Sequence, residues 1–122
     1  MISPEHVQNC IRDCKECKLH CLQMKEHFHH HQKCIQNCEL CISVCESLLV
    51  MILLNTQKHF NKGFELMKAV CMECKNECEK HQSMPTCLKC AISCEECVKS
   101  IEEYKNLLQS KKKRKSRKSS VK

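Results

Sequence analysis

Cysteines spaced three and four residues apart dominate this sequence and point to its chemistry. Residues 34–45 contain four of them, separated by steps of four, three and four. Because an α-helix has about 3.6 residues per turn, such steps return the side chains to nearly one direction. The segment therefore predicts a helix with thiols along one face, which we call a thiol column. Four columns account for all fifteen cysteines: Cys10, Cys14, Cys17 and Cys21; Cys34, Cys38, Cys41 and Cys45; Cys71, Cys74 and Cys78; Cys87, Cys90, Cys94 and Cys97.

A methionine continues the third column. Met67 lies four residues before Cys71, where the other columns have a fourth thiol. Thiolates and thioethers are the ligands that soft metal ions prefer. Cysteine can also serve as a small core residue, but that use explains one or two buried thiols rather than fifteen on the inward faces of four helices. We therefore include Met67 with the cysteines as a candidate metal ligand.

Three observations distinguish this pattern from that of a disulfide-linked secreted domain. The number of cysteines is odd, so at least one thiol would stay unpaired. The first residues are polar and form no apolar leader, so we expect a cytoplasmic protein with reduced thiols. Cysteines three or four apart on one helix seldom have the geometry for a mutual disulfide. A structural bundle with disulfides between facing helices stays an alternative to metal binding.

The residues around the thiol columns predict four helices. Apolar residues and cysteines recur in steps of three and four through residues 7–28, 31–52, 60–81 and 87–108, which is typical of the inward seam of a helical bundle. The polar residues between seam positions of the first helix, Asp13 among them, are placed on a solvated face. The predicted fold is all-α, an antiparallel up-down-up-down four-helix bundle with a cysteine-lined core.

In such a bundle the thiol columns meet as layers, because neighbouring helices run in opposite directions. The predicted layers are Cys21, Cys34, Cys78 and Cys87; Cys17, Cys38, Cys74 and Cys90; Cys14, Cys41, Cys71 and Cys94; and Cys10, Cys45, Met67 and Cys97.

The two ends of the predicted bundle differ in chemistry. Beyond the fourth layer, a plug of apolar residues closes one end: Val7, Leu48, Ile52, Phe60, Phe64, Ile101, Tyr104 and Leu108.

Beyond the first layer the seam continues with side chains that bind metals, and this end is predicted to be the mouth through which metal ions enter. The candidate ligands at the mouth are Met24, His31, His81 and Met84. Nearby histidines, such as those at positions 27, 29 and 30, could equally form a solvated link between the first two helices.

Positive charge is concentrated at the C-terminus. Residues 109–122 carry eight lysines and arginines and no acid, whereas residues 1–108 hold 13 basic and 14 acidic residues. We therefore divide the chain into a bundle, residues 1–109, and a basic tail, residues 110–122, whose composition predicts disorder. The tail has no aromatic residue, so no specific nucleic-acid partner is expected. The longest apolar run, residues 48–54, is too short to span a bilayer, so no membrane partner is expected.

Charge balance favours copper as the metal. Zn²⁺ with four thiolates leaves two negative charges at each site, which is costly in an apolar core. Cu(I) is soft and monovalent, so one ion neutralises one thiolate, and a capacity on the order of a dozen or more ions follows. A zinc or cadmium buffer on the same scaffold and an iron–sulfur or redox protein stay open alternatives, although the loop-borne cysteine runs of many iron–sulfur sites are missing.

The four repeats of Cys-x3-Cys-x2-Cys or its reverse phase, with Met84-Pro85-Thr86-Cys87 opening the fourth helix, resemble the bacterial copper storage proteins, particularly their cytosolic branch. The resemblance covers roughly residues 3–108. It implies a four-helix bundle that stores many Cu(I) ions along its axis, often as a homotetramer, with entry at the His/Met end. We further expect no catalysis, and copper donor or acceptor proteins as possible partners. Met67 departs from an all-thiol pattern, and the resemblance does not explain the basic tail.

Overall fold

The computed structural model describes residues 4–24, 28–54, 58–81 and 83–120, with side chains for residues 4–24, 31–54, 58–81 and 83–107. Four α-helices make up almost all of this part of the chain: α1 (Glu5–Gln23), α2 (Phe28–Leu53), α3 (Phe60–Glu79) and α4 (Pro85–Ser120). The predicted all-α class is confirmed, and Pro85 begins α4 as its missing N–H and fixed φ allow.

The helices pack in a closed ring. Each helix contacts the next one along the chain, and α1 also packs against α4. Short connections between the helices make neighbours antiparallel. The structure therefore confirms the predicted four-helix bundle.

The core of the bundle consists of thiols along most of its length and of apolar side chains at one end. All fifteen cysteines are fully buried. In the plug, Val7, Leu48, Phe64 and Ile101 are also fully buried, while the ring of Phe60 meets that of Tyr104 edge-on with centroids 5.3 Å apart. The plug forms as predicted, except that the side chain of Leu108 lies outside the described residues.

Gly63 lets α2 and α3 approach each other beside the plug. A Cβ atom added at this position would lie 3.1 Å from the Sδ atom of Met51 and 3.5 Å from Leu48. Glycine costs about 1 kcal/mol of intrinsic helix stability relative to alanine. Here it leaves space for the α2 side chains that cover the plug.

Helix α4 continues to Ser120, well into the segment whose composition predicts disorder. Lysine and arginine have high intrinsic helix propensity, and residues 110–120 extend a helix that is already nucleated and packed in the bundle. A prediction from the composition of the tail alone leaves out the preceding part of α4, which nucleates this extension. The division into a bundle of residues 1–109 and a basic tail of residues 110–122 stays a prediction.

One segment of the described chain, His31–Leu53 in α2, is long and apolar enough to cross a membrane by length and composition. Four cysteines contribute to its hydropathy, and they line the bundle core: Cys34, Cys38, Cys41 and Cys45. The core helix of a helical bundle meets the same criterion.

Candidate metal centre

The cysteines of all four helices point to a shared axis, where their sulfur atoms touch. Neighbouring Sγ atoms on different helices lie between 3.4 and 4.0 Å apart. The closest approaches join Cys41 to Cys71 at 3.4 Å, and Cys14 to Cys90 and Cys17 to Cys87 at 3.5 Å. All fifteen cysteines are free thiols.

These separations suit metal coordination. A metal–sulfur bond of about 2.3 Å places two sulfur ligands about 3.8 Å apart in a tetrahedron, about 4.0 Å in a trigonal plane and about 4.6 Å in a line. The close sulfur pairs of the core therefore stand near the separations of tetrahedral or trigonal ligands. They are much farther apart than the roughly 2.05 Å of a disulfide bond.

The thiols fall into five groups of four, in each of which every Sγ atom lies within 4.8 Å of the other three. All fifteen cysteines take part. From the mouth to the plug the groups are Cys17, Cys21, Cys34 and Cys87; Cys17, Cys38, Cys78 and Cys90; Cys14, Cys74, Cys90 and Cys94; Cys10, Cys14, Cys41 and Cys94; and Cys10, Cys45, Cys71 and Cys97.

The predicted layers are found in part. The predicted same-layer pairs Cys34–Cys78, Cys38–Cys74 and Cys41–Cys71 lie 3.7, 3.8 and 3.4 Å apart. The four-thiol groups also combine Cys78 and Cys71 with cysteines predicted one layer closer to the plug. In the deepest group of cysteines the Sγ atom of Cys71 lies 3.8 Å from that of Cys45. Met67 lies farther along the axis, fully buried, with its Sδ atom 4.0 Å from the Sγ atom of Cys97. The spacing of cysteines determines which way a helix face points, but it does not determine how far one helix slides along another.

Histidine lies beside the outermost thiols, whose group of four contains no cysteine of α3, although Cys78 lies 3.7 Å from Cys34. His31 is buried, and its Nδ1 atom lies 3.6 Å from the Sγ atom of Cys21. The ring of His81, three residues beyond Cys78, lies 4.4 Å from that of His31, centroid to centroid. Two imidazoles therefore lie over the outermost thiols.

Both candidate methionines of the mouth lie against the core. Met84 is buried and Met24 is partly buried. The link between α3 and α4 holds Met84 in place, because its N–H donates to the carbonyl of His81 and its own carbonyl accepts from Cys87 N–H, each at 3.0 Å. His27 lies outside the described residues.

A buried carboxylate at the mouth was missed by the sequence analysis. Glu77 is nearly fully buried; one oxygen lies 3.1 Å from the ammonium of Lys80 and the other 3.6 Å from Nε2 of His81. That nitrogen is buried and makes no hydrogen bond within the described structure. Glu77 stands in a polar run of α3, and no feature of the sequence separated it from its exposed neighbours.

Asp13 is buried in the seam between α1 and α4, where the sequence analysis had placed a solvated residue. Only 2 % of it is exposed. The hydroxyl of Ser93 donates a hydrogen bond to its carboxylate, and the cations of Arg12 and Lys89 lie 3.1 and 3.6 Å away. The expectation was wrong because α4 packs over this position, and its serine and lysine supply partners that α1 alone does not contain.

Protons are shared unequally among the buried thiols. The pKa of Cys17 is held well below its usual range by its contacts with neighbouring thiols, first Cys21 and then Cys34. Contacts with other thiols, first Cys14, together with burial hold the pKa of Cys38 well above its usual range. A thiolate is stabilised here only while its neighbours stay protonated. Metal ions that bind throughout the core must therefore release protons.

Fold and site together define a cysteine-rich four-helix bundle with clustered metal-binding thiols. A sequence profile of the copper storage proteins matches residues 2–106, and the chain therefore belongs to the copper storage protein family. That family stores copper and is not a family of catalysts. No curated protein sequence matches the chain.

Proposed function

We propose that this protein stores many Cu(I) ions along its bundle axis in the cytoplasm and catalyses no reaction. The observation that carries this proposal is that fifteen fully buried thiols form five overlapping groups of four, with no histidine or carboxylate among the members of these groups. Overlap matters because a thiolate that belongs to two groups can bridge two ions. Membership in the copper storage family supports copper as the cargo.

The charge balance of the thiolate core favours Cu(I) over Zn²⁺. One Cu(I) for each of the fifteen thiolates leaves the core neutral, whereas one Zn²⁺ in each of five groups sets ten positive charges against fifteen negative ones. An uncompensated charge in an apolar core costs several kcal/mol. We therefore expect a capacity on the order of a dozen or more Cu(I) ions.

Copper enters, in this proposal, at the mouth. Imidazole and thioether groups bind Cu(I), and the Nδ1 atom of His31 lies within 3.6 Å of the first thiol, Cys21. Because the cysteines themselves are fully buried, an ion must first meet ligands at the end of the bundle, where Met24 and His81 are partly exposed and His31 and Met84 lie buried beneath the surface. The candidate ligands for this step are Met24, His31, His81 and Met84. At the opposite end the plug presents apolar side chains.

Assembly and exchange belong to the same proposal. We expect several copies to associate, with a tetramer implied by the family resemblance. Exposed apolar side chains at the end of α2, Val50 and Leu53, and at Leu54 just beyond it favour self-association. Copper donor and acceptor proteins would then meet the assembly at its mouths. Sedimentation of the reduced protein measures the number of chains.

Zinc storage is the second candidate, favoured by one observation. The sulfur separations of 3.4–4.0 Å include the edge of about 3.8 Å expected for a tetrahedral zinc–thiolate site. Five complete four-thiol groups would accept zinc without rearrangement. The charge balance of the core argues against zinc, whereas the sulfur separations permit it. The number of ions bound per chain is therefore the deciding measurement.

Anaerobic titration of the reduced, metal-free protein separates the two candidates. We expect Cu(I), supplied from a chromophoric chelator complex, to reach a plateau on the order of a dozen ions or more per chain. Zn²⁺ measured in parallel should stop at about five or fewer. A Cu(I) plateau of only three or four would overturn the proposal. Visible charge-transfer absorption in the isolated protein would favour an iron–sulfur protein, and few titratable thiols before reduction would favour a disulfide-linked bundle.

A further inference from the structure

A dense run of cations follows the bundle part of helix α4. Seven of the eight residues from 111 to 118, which we call the basic segment, are lysine or arginine, and α4 extends through all of them to Ser120. At 1.5 Å per residue the basic segment is about 12 Å long and carries about one positive charge per 1.7 Å. Duplex DNA carries about one negative charge per 1.7 Å of its axis. The two charge densities are therefore similar in size and opposite in sign.

The cations of the basic segment are distributed around the whole helix. Successive residues of an α-helix are rotated by about 100°, so positions 111–115 complete one turn around the axis, and all of them are lysine or arginine. Residues 109–120 include no apolar residue. A helix that lies flat on a membrane needs an apolar face, which this composition does not provide. In the major groove of DNA, by contrast, phosphates flank a helix on both sides.

The bundle fixes where the basic segment begins. At the plug end the ring of Tyr104 on α4 meets that of Phe60, the first residue of α3, edge-on. One residue later, the ammonium of Lys105 lies 3.1 Å from a carboxylate oxygen of Glu65. Helix α4 therefore extends past the start of α3, and residues 106–120 continue it for about 22 Å. A helix about 10–12 Å in diameter fits the major groove of B-DNA, which is about 12 Å wide.

The rest of the chain adds no comparable charge and no membrane-binding face beside the basic segment. Residues 1–108 hold 13 basic and 14 acidic residues, so their net charge is close to zero. The exposed apolar residues Val50 and Leu53 belong to α2. Helices α2 and α4 lie diagonally across the ring, because each packs mainly against α1 and α3. These apolar residues and the basic segment therefore do not share one side of the bundle.

We propose that the basic segment binds duplex DNA by lying in the major groove, without reading the base sequence. Lysine and arginine contact phosphate oxygens and release the counterions condensed on them, and such contacts carry no sequence information. This interaction is additional to copper storage and does not depend on the metal in the core. Because α4 runs from the mouth to the plug and beyond it, DNA bound at the basic segment leaves the mouth uncovered.

Fluorescence anisotropy of a labelled, mixed-sequence DNA duplex tests the proposal, with the full-length, reduced, metal-free protein as titrant. We expect a dissociation constant of about 1–100 μM at physiological salt. The logarithm of the binding constant should fall with the logarithm of the salt concentration with a slope of about −4 to −6. Binding that does not respond to salt would overturn the proposal, as would the lack of any binding at low salt.

A triple variant of the basic segment locates the contact. Lys112→Gln, Lys113→Gln and Arg114→Gln together remove three cations, and glutamine keeps a high helix propensity. We expect DNA affinity at low salt to fall by about tenfold or more, and the salt slope to become shallower by about 2–3. Circular dichroism of the metal-free variant should show unchanged helix content, since the substituted residues lie beyond the plug.

The matched control removes the same charge from the surface of the bundle. Lys15→Gln, Lys33→Gln and Lys99→Gln replace three exposed lysines on α1, α2 and α4. Charges farther from DNA than the Debye length of about 8 Å at physiological salt are largely screened. DNA affinity of this variant should therefore stay within about twofold of the unchanged protein, and equal losses from the two triple variants would refute binding through the basic segment.

Two further ligands test the choice of duplex DNA. The major groove of A-form RNA is deep and narrow, so a labelled RNA duplex of the same sequence should bind about tenfold more weakly. Mixed phosphatidylcholine–phosphatidylserine vesicles, compared by sedimentation at equal concentration of accessible phosphate, should also bind more weakly than DNA. Equal affinity for the RNA duplex would overturn the placement in the major groove, and tighter binding to the vesicles would assign the basic segment to an anionic membrane instead.

Discussion

The Sδ atom of Met67 lies 4.0 Å from the Sγ atom of Cys97, where the thiol core meets the apolar plug. Both residues are fully buried. The methionine therefore forms the boundary of the metal-binding axis. It ends the run of thiols without introducing another negative charge beside Phe64 and Leu48.

Replacing Met67 tests this boundary. Met67→Leu conserves volume and should lower the free energy of unfolding of the metal-free protein by less than about 1.5 kcal/mol. Because the deepest group has four thiols without Met67, we expect the Cu(I) capacity to fall by about one ion at most. Met72→Leu, at a partly buried position on α3, is the control. A loss of several ions from Met67→Leu alone would show that the thioether organises the deep sites.

The buried carboxylate of Asp13 should be important for stability. Asp13→Ala leaves the Ser93 hydroxyl without its acceptor and the cations of Arg12 and Lys89 without their partner. We expect a loss of about 1–3 kcal/mol in the free energy of unfolding, measured by urea denaturation of the reduced protein. Glu16→Ala, at an exposed position next to the same lysine, should change it by no more than about 0.5 kcal/mol. Equal effects would mean that Asp13 contributes no more than a surface residue.

The histidines of the mouth should affect the rate of Cu(I) uptake more than the number of Cu(I) ions bound. Combined His31→Ala and His81→Ala substitutions remove the two imidazoles above Cys21. We expect Cu(I) uptake from a chelator complex to slow by about tenfold or more, since the first ligands for the incoming ion are lost. Capacity should fall by about two ions at most.

The matched control for the mouth is His6→Ala near the start of α1, where the side chain is about half exposed and lies 4.0 Å from Glu96. Its uptake rate should equal that of the unchanged protein. If the double variant also loads at the original rate, copper reaches the core by another route, and the mouth is not its point of access.

Proton release distinguishes copper from zinc. Thiols whose pKa is raised, Cys38 among them, are protonated at neutral pH and must lose that proton to bind a metal. We expect about one proton released per Cu(I) and two or more per Zn²⁺, measured with a pH indicator in weak buffer. As pH falls, protons compete more strongly, so affinity should drop about tenfold per pH unit for each thiol deprotonated. Loading without proton release would contradict a thiol core.

Much of the fold and site could be predicted from the sequence because the spacing of the cysteines shows which face of each helix they occupy. Steps of three and four place successive side chains on one helix face, and four such faces can all be buried only around a common axis. The burial of every cysteine and the apolar plug around Phe64 and Ile101 follow from this periodicity. The order of residues along each helix also indicated which end of the bundle carries the histidines.

The tertiary structure alone decided how the helices slide along one another. The sequence predicted one layer of Met67 with Cys45 and Cys97; in the structure Met67 lies 4.0 Å from Cys97, and Cys71 also comes within 3.8 Å of Cys45. Axial position depends on connections and on side chains of neighbouring helices, as when Ser93 of α4 meets Asp13 of α1. The periodicity of one helix gives no information on these contacts between helices. The sequence therefore determined that the thiols face one axis, and the packing of four helices determined which thiols lie close enough together to bind the same metal ion.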